Sequence, residues 1–132
     1  MRFLLDTHIW LWFVLGSDQL PKRWRALLED ENNELWLSPI SVWEALVLAE
    51  RNRVQLDPDP ETWIAESFTL FSFREAKLNR EIAILSRQLR FAHQDPADRF
   101  IAATAKFNEL TLMTMDKQLR HCKEITTVPL KT

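Results

Sequence analysis

The run Arg2-Phe3-Leu4-Leu5-Asp6 is short, apolar and closed by a carboxylate. An unbroken apolar stretch of this length reads as a strand covered on both faces, the kind a parallel sheet needs. Leu110 to Thr114 (LTLMT) repeats the pattern and runs into Asp116, while Glu34 to Leu37 (ELWL) gives a further strand. Helical signals fall between them. His8 to Leu15 is an apolar helix or turn, and Pro21 opens a helix to about Asp30. Ser38-Pro39 starts another through about Arg51, and Asp95-Pro96 starts one through about Phe107. Asp57-Pro-Asp-Pro is a loop, followed by a short helix from Glu61 and a strand over Thr69 to Phe73. From Arg74 to Arg90, Leu78, Ile82, Leu85 and Leu89 fall within roughly 60° on a helical wheel, so that segment reads as one amphipathic helix. A last strand, ITTVP, closes the chain. Strands alternating with helices imply right-handed crossovers and an α/β fold with a mostly parallel sheet flanked by helices.

Composition agrees and excludes other classes. At 132 residues, 46% hydrophobic and 27% charged, the chain is sized for one domain, residues 1–132, and is too apolar to be disordered. No apolar run reaches bilayer-spanning length, and Asp6 interrupts the only stretch resembling a signal peptide, so a soluble cytoplasmic protein is expected. Cys122 stands alone, which excludes a disulfide framework and a cysteine-rich zinc site. Charge divides unevenly: residues 1–73 hold 6 Lys and Arg against 12 Asp and Glu, and residues 74–132 hold 11 against 7. An acidic cluster beside a basic half suits a polyanionic substrate handled through metal ions, although solvated charged faces also give such patterns.

In a parallel α/β sheet the carboxyl ends of the strands share an edge with the amino ends of the helices that follow, and ligands bind there. Asp6 and Asp116 follow strands; Glu44 and Asp98 lie in early turns of the helices opened by Pro39 and Pro96. Four acids distant in sequence therefore converge on one edge. Clustered carboxylates repel unless a cation neutralises them, and oxygen ligands alone suit Mg²⁺ or Mn²⁺ rather than zinc. Such a site favours metal-assisted hydrolysis of a phosphodiester. Competing readings exist for single residues. Ser41-x-x-Glu44 matches a capping box, and Asp95 followed by Pro96 and Asp98 is a good helix start in its own right. Asp116 also fits an ordinary strand-to-turn aspartate.

Four stretches then resemble a family. Phe3-Leu-Leu-Asp6-Thr7-His8, Ser38-x-x-Ser41-Val-Trp-Glu44, Asp95-Pro-x-Asp98-Arg99-Phe-Ile-Ala-Ala-Thr-Ala and Leu112-x-Thr114-x-Asp116 look like the motifs of PIN-domain proteins. Within these the chain is most similar to VapC-like toxins of type II toxin–antitoxin systems. The resemblance covers nearly the whole chain, in the family's order and spacing. It implies a Mg²⁺- or Mn²⁺-dependent endoribonuclease, commonly a homodimer, held inactive by a cognate antitoxin protein. It also implies Asp6, Glu44, Asp98 and Asp116 as the acidic tetrad, with Asp6, Asp98 and Asp116 as metal ligands. Asp95, Thr7 and Thr114 match accessory positions; apart from the resemblance, Arg99 near the acids joins the basic face of Arg80, Arg87 and Arg90 as an accessory cation suited to guiding an RNA backbone, a pattern that a solvated amphipathic face also gives.

Outside the motifs, His8 invites a general-base role, against which stands the commoner structural use of a histidine beside tryptophans. His93 precedes Asp95 and suggests an RNA contact. Six tryptophans with no tyrosine suit core and interface packing more than base stacking. A phosphatase or phosphoacceptor domain would want a second acid beside Asp6, and none is there. The non-enzymatic alternative is an inactive PIN-like module whose acidic pocket binds a basic antitoxin peptide or RNA.

Overall fold

A computed structural model describes residues 1–92 and 94–130. Five parallel strands, β1 (Arg2–Leu5), β2 (Glu34–Leu37), β3 (Phe73–Glu75), β4 (Thr111–Met113) and β5 (Thr126–Thr127), form one sheet in the order β3-β2-β1-β4-β5. The helices are α1 (Thr7–Leu15), α2 (Lys22–Glu29), α3 (Pro39–Glu50), α4 (Pro60–Leu70), α5 (Arg80–Gln88), α6 (Pro96–Phe107) and α7 (Lys117–Arg120).

Alternation along β1 explains the layering. Phe3 and Leu5 point to one face, where they join Leu35, Leu37 and Met113 against Ile9, Trp10, Trp24 and Trp63 of α1, α2 and α4. Leu4 and Leu112 point to the other, against Ile82, Ile101, Ala102 and Leu119 of α5, α6 and α7. Both faces are thus buried, as a parallel sheet requires. Asp6 could not continue β1 into this core, so its carboxylate turns back to accept from the Thr7 amide and caps α1. Gly16, at φ 70°, ends that helix in the left-handed conformation that costs glycine least.

The expected strands and proline-initiated helices are present, with two corrections between residues 69 and 90. α4 runs through Leu70, so Thr69 and Leu70 are helical, and the strand begins at Phe73. The expected helix from Arg74 is shorter: Arg74 and Glu75 pair with Trp36 and Leu37 of β2, and Asn79 then caps α5 by accepting from the Ile82 amide. Pairing with the sheet supplies hydrogen bonds that an added helical turn would have to replace. The helical wheel also missed α7, a single turn capped by Asp116. Among the described residues, no helix is long and apolar enough to cross a membrane.

Candidate metal centre

The strand order reverses at β1: its outgoing crossover leads to β2 on one side, while β4 pairs on the other. The carboxyl ends of β1 and β4 therefore part around a crevice, the usual ligand position in an open α/β sheet. A cavity of about 440 Å³ opens there, lined by Asp6, Thr7, Glu44, Asp95, Asp98 and Asp116, with His8 and Trp12 at its rim.

Two hydroxyl bridges hold the acids in place. Thr114, fully buried after β4, donates from Oγ1 to Asp6 Oδ2 at 2.6 Å and accepts from the Asp116 amide at 3.0 Å. Asp6 Oδ1 accepts from the Thr7 amide at 2.8 Å. Thr7 donates its hydroxyl to Glu44 Oε1 at 2.6 Å, with Ser41 Oγ 3.0 Å away. One hydroxyl proton serves one acceptor, so Ser41 is the donor in its contact with Thr7. Ser41 thus ties Glu44 to the β1–α1 junction, whereas sequence spacing attributed it to a capping box. That capping reading of Glu44 does not hold. Ser38 is the N-cap, accepting from the Ile40 amide, and Glu44 lies a turn further on.

Asp6, Glu44 and Asp98 each present a ligand oxygen within 4.8 Å of the others. Asp116 lines the same cavity and caps α7, its Oδ1 accepting from the Leu119 amide at 3.0 Å; the close trio consists of Asp6, Asp98 and Glu44. Asp95 caps α6 through the Ala97 and Asp98 amides, as its helix-start reading expects. Capping of α6 therefore falls to Asp95 and not to Asp98.

Arg99 is a correction. Its side chain is not poised over the acids; it is 5% exposed and donates to the carbonyl oxygens of Ser86, Leu89 and Phe91, clamping the end of α5 to α6. Carbonyls at a helix end lack partners within the helix, and a buried guanidinium satisfies them here. His8 is exposed at the rim with its ring 6.0 Å from Trp12. His93 lies outside the described residues. Trp10, Trp24 and Trp63 are core residues, whereas Trp43, next to Glu44, is 57% exposed.

Burial raises the Asp6 carboxyl above its ordinary value; the hydrogen bonds from Thr114 and Thr7 and the nearby His8 act against that rise, and Asp116 adds to it. Burial likewise pushes Glu44 up to about 7, opposed by the Thr7 hydroxyl and reinforced by Asp6, Asp98 and Asp95. Among the described residues no lysine or arginine pairs with Asp6 or Glu44. Carboxylates that are partly desolvated and crowded together are what a divalent ion neutralises, and an all-oxygen donor set fits a hard one.

Residues 3–125 match the model of the PIN domain. The chain is 30% identical over 118 residues to ribonuclease VapC22 of Mycobacterium tuberculosis, spanning 89% of this chain and 88% of that protein. Its fold is similar to a chain in the crystal structure of VapBC2 from Rickettsia felis bound to a promoter DNA fragment, with a TM-score of 0.70 and 16% identity over 97% of this chain and 98% of that one. It is also similar to a chain of FitAcB from Neisseria gonorrhoeae, with a TM-score of 0.65 and 25% identity over 96% of each chain. A sheet ordered around a central β1, four acids at its carboxyl edge and a family match across nearly every element agree: the chain belongs to the PIN-domain family.

Proposed function

We propose that this chain is a metal-dependent endoribonuclease, the toxin of a toxin–antitoxin pair. The observation that carries the reading is the trio of Asp6, Glu44 and Asp98, with ligand oxygens within 4.8 Å, at the sheet's switch point. The similarity to ribonuclease VapC22 supports RNA as the substrate. Asp6, Glu44 and Asp98 would hold Mg²⁺ or Mn²⁺, and the bound ion would lower the pKa of water and stabilise charge on a phosphodiester in displacement.

The chain's own residues do the rest. Thr114 and the Thr7 amide fix both oxygens of Asp6, and the Ser41–Thr7 pair fixes one oxygen of Glu44. Each carboxylate is thereby set in one orientation before substrate arrives, which removes a reorganisation cost from the reaction. Asp116, the fourth acid, lines the same cavity and keeps one oxygen on α7. Asp95 is accessory and keeps Asp98 at the cavity by starting α6 squarely.

Partners follow from the surface. A basic side chain of an antitoxin would form charge-assisted hydrogen bonds with the acids and occupy the place of the ion. Similarity to a chain of a toxin–antitoxin complex from Klebsiella pneumoniae, with a TM-score of 0.62, is consistent with such a partner. α3 presents Trp43 beside half-exposed Ile40 and Val47, an apolar strip suited to the homodimer contact. The test is incubation of the purified protein with total bacterial RNA in Mg²⁺ or Mn²⁺, beside EDTA and Asp98→Asn controls. Discrete fragments that vanish in both controls are expected. A folded Asp98→Asn variant that cuts as well as the parent, or cleavage that survives EDTA, would refute the site.

A further inference from the structure

A second cavity, of about 650 Å³, lies between the end of α5, α6 and the segment after α7. Three cations reach it from three different elements: Arg90 beyond α5, Lys106 on α6 and Lys123 beyond α7. Its acid, Glu124, is already engaged: Oε2 takes the Lys106 ammonium at 2.9 Å and Oε1 accepts from the Arg90 amide at 2.7 Å. Among the described residues neither the guanidinium of Arg90 nor the ammonium of Lys123 forms a contact ion pair, although the Arg90 charge acts on Glu124 from farther off; both residues are exposed. Gln88, Gln118 and His121 add polar side chains, and Phe91, whose ring packs on the Arg99 guanidinium at 4.8 Å, forms part of the wall. Cations, amide donors and an aromatic surface in a cavity of this size are the elements of single-stranded nucleic-acid binding.

The position matters as much as the chemistry. Asp116 caps α7 at the metal centre, and the same single turn ends at His121 in the cleft. The five residue steps from Asp116 to His121 span about 8 Å, the reach of about two nucleotides along one strand. We propose that this cleft holds the sugar–phosphate backbone of RNA a few nucleotides from the cut, with Arg90 and Lys123 on phosphates. The acid cavity repels a polyanion, so affinity has to come from neighbouring ground. This inference rests on the reading of the chain as a ribonuclease, and it names where that substrate is gripped.

The test uses a fluorescein-labelled 12-mer of oligouridylate in EDTA, with binding followed by anisotropy from 50 to 300 mM NaCl, so that no cleavage is required. Arg90→Gln with Lys123→Gln should weaken binding ~20-fold at 0.1 M salt and reduce the salt slope by about 1.4, the counterion-release value for two lost phosphate contacts on a single strand. Lys22→Gln with Lys77→Gln, which removes two exposed cations elsewhere, should leave affinity within about twofold, and thermal unfolding of both variants should match the parent. Equal losses in the two double variants, or none in either, would overturn the inference, as would a parent chain that does not bind the oligonucleotide. So would a deca-glutamate peptide that displaced the oligonucleotide with equal affinity, because an acidic protein segment would then be the better occupant. Loss of binding in the cleft variant from a chain that cuts no RNA would refute the nuclease and leave the cleft. Cleavage with unaltered binding would do the reverse.

Discussion

Replacing Glu44 by Gln in the metal-free protein should stabilise it at pH 8. Burial pushes the native carboxyl up to about 7 against 4.5 for the ordinary group, so the folded state holds its proton more tightly than the unfolded chain does. The sign follows from linkage: below pH 4.5 both states are protonated and there is no penalty. As pH rises towards 7 the unfolded chain ionises first, and above 7 the folded protein carries the full cost of a crowded, partly desolvated carboxylate. The displacement corresponds to up to ~3 kcal/mol, and because the side chain keeps some solvent contact we discount it to about 1–2 kcal/mol. Gln keeps an oxygen to accept from the Thr7 hydroxyl, so the packing stays and only the charge goes. The assay is thermal unfolding in EDTA at pH 5, 6.5 and 8. The variant should melt roughly 3–8 °C above the parent at pH 8, with the gap closing towards pH 5. Saturating Mn²⁺ should reverse the order at pH 8, since an ion at 100 times its Kd adds about 2.7 kcal/mol to the parent. A variant less stable than the parent at pH 8 without metal, or a gap independent of pH, would refute the reasoning.

Thr114→Val is close to isosteric but takes the donor from Asp6 Oδ2; it should cost about 1.5–3 kcal/mol by denaturant unfolding and weaken Mn²⁺ binding at least about tenfold by calorimetry. Asp98→Asn should still fold cooperatively, since the capping is done by Asp95, while its cleavage rate falls more than ~100-fold. Asp95→Ala should show the complementary pattern, losing about 1 kcal/mol of stability with the cap and only part of the activity. Arg99→Met should destabilise by about 3 kcal/mol, since three carbonyl contacts at the end of α5 lose their donor; unchanged stability would show that the clamp is redundant.

How much of this was legible before the structure depends on how local the cause is. β1 and β2 were readable because each is a short, mainly apolar run, and α3 and α6 because proline and a capping side chain mark their starts. Convergence of Asp6, Glu44, Asp98 and Asp116 on one cavity followed from parallel topology. The segment from Arg74 to Asn79 was not readable: it runs straight into the helical periodicity that begins at Leu78, while its pairing with Trp36 and Leu37 is a contact between distant parts of the chain that periodicity does not register. Arg99 misled for a related reason. Its position beside Asp98 suggests a cation at the site, yet a helix sends neighbouring residues about 100° apart, and this one points into the gap left by the end of α5. The Ser41–Thr7–Glu44 chain was also hidden, because Ser41 and Thr7 lie 34 residues apart and ordinary capping explained the serine locally.

Whether Asp6, Glu44 and Asp98 form one divalent-metal centre in this chain is tested most directly by anomalous diffraction from crystals soaked in Mn²⁺ at pH 8. A manganese peak is expected within coordination distance, ~2.0–2.3 Å, of oxygens from these three residues, and it should be lost in Asp98→Asn crystals. A peak held elsewhere, or an arginine or lysine side chain filling the cavity in Mn²⁺-soaked crystals, would contradict the assignment.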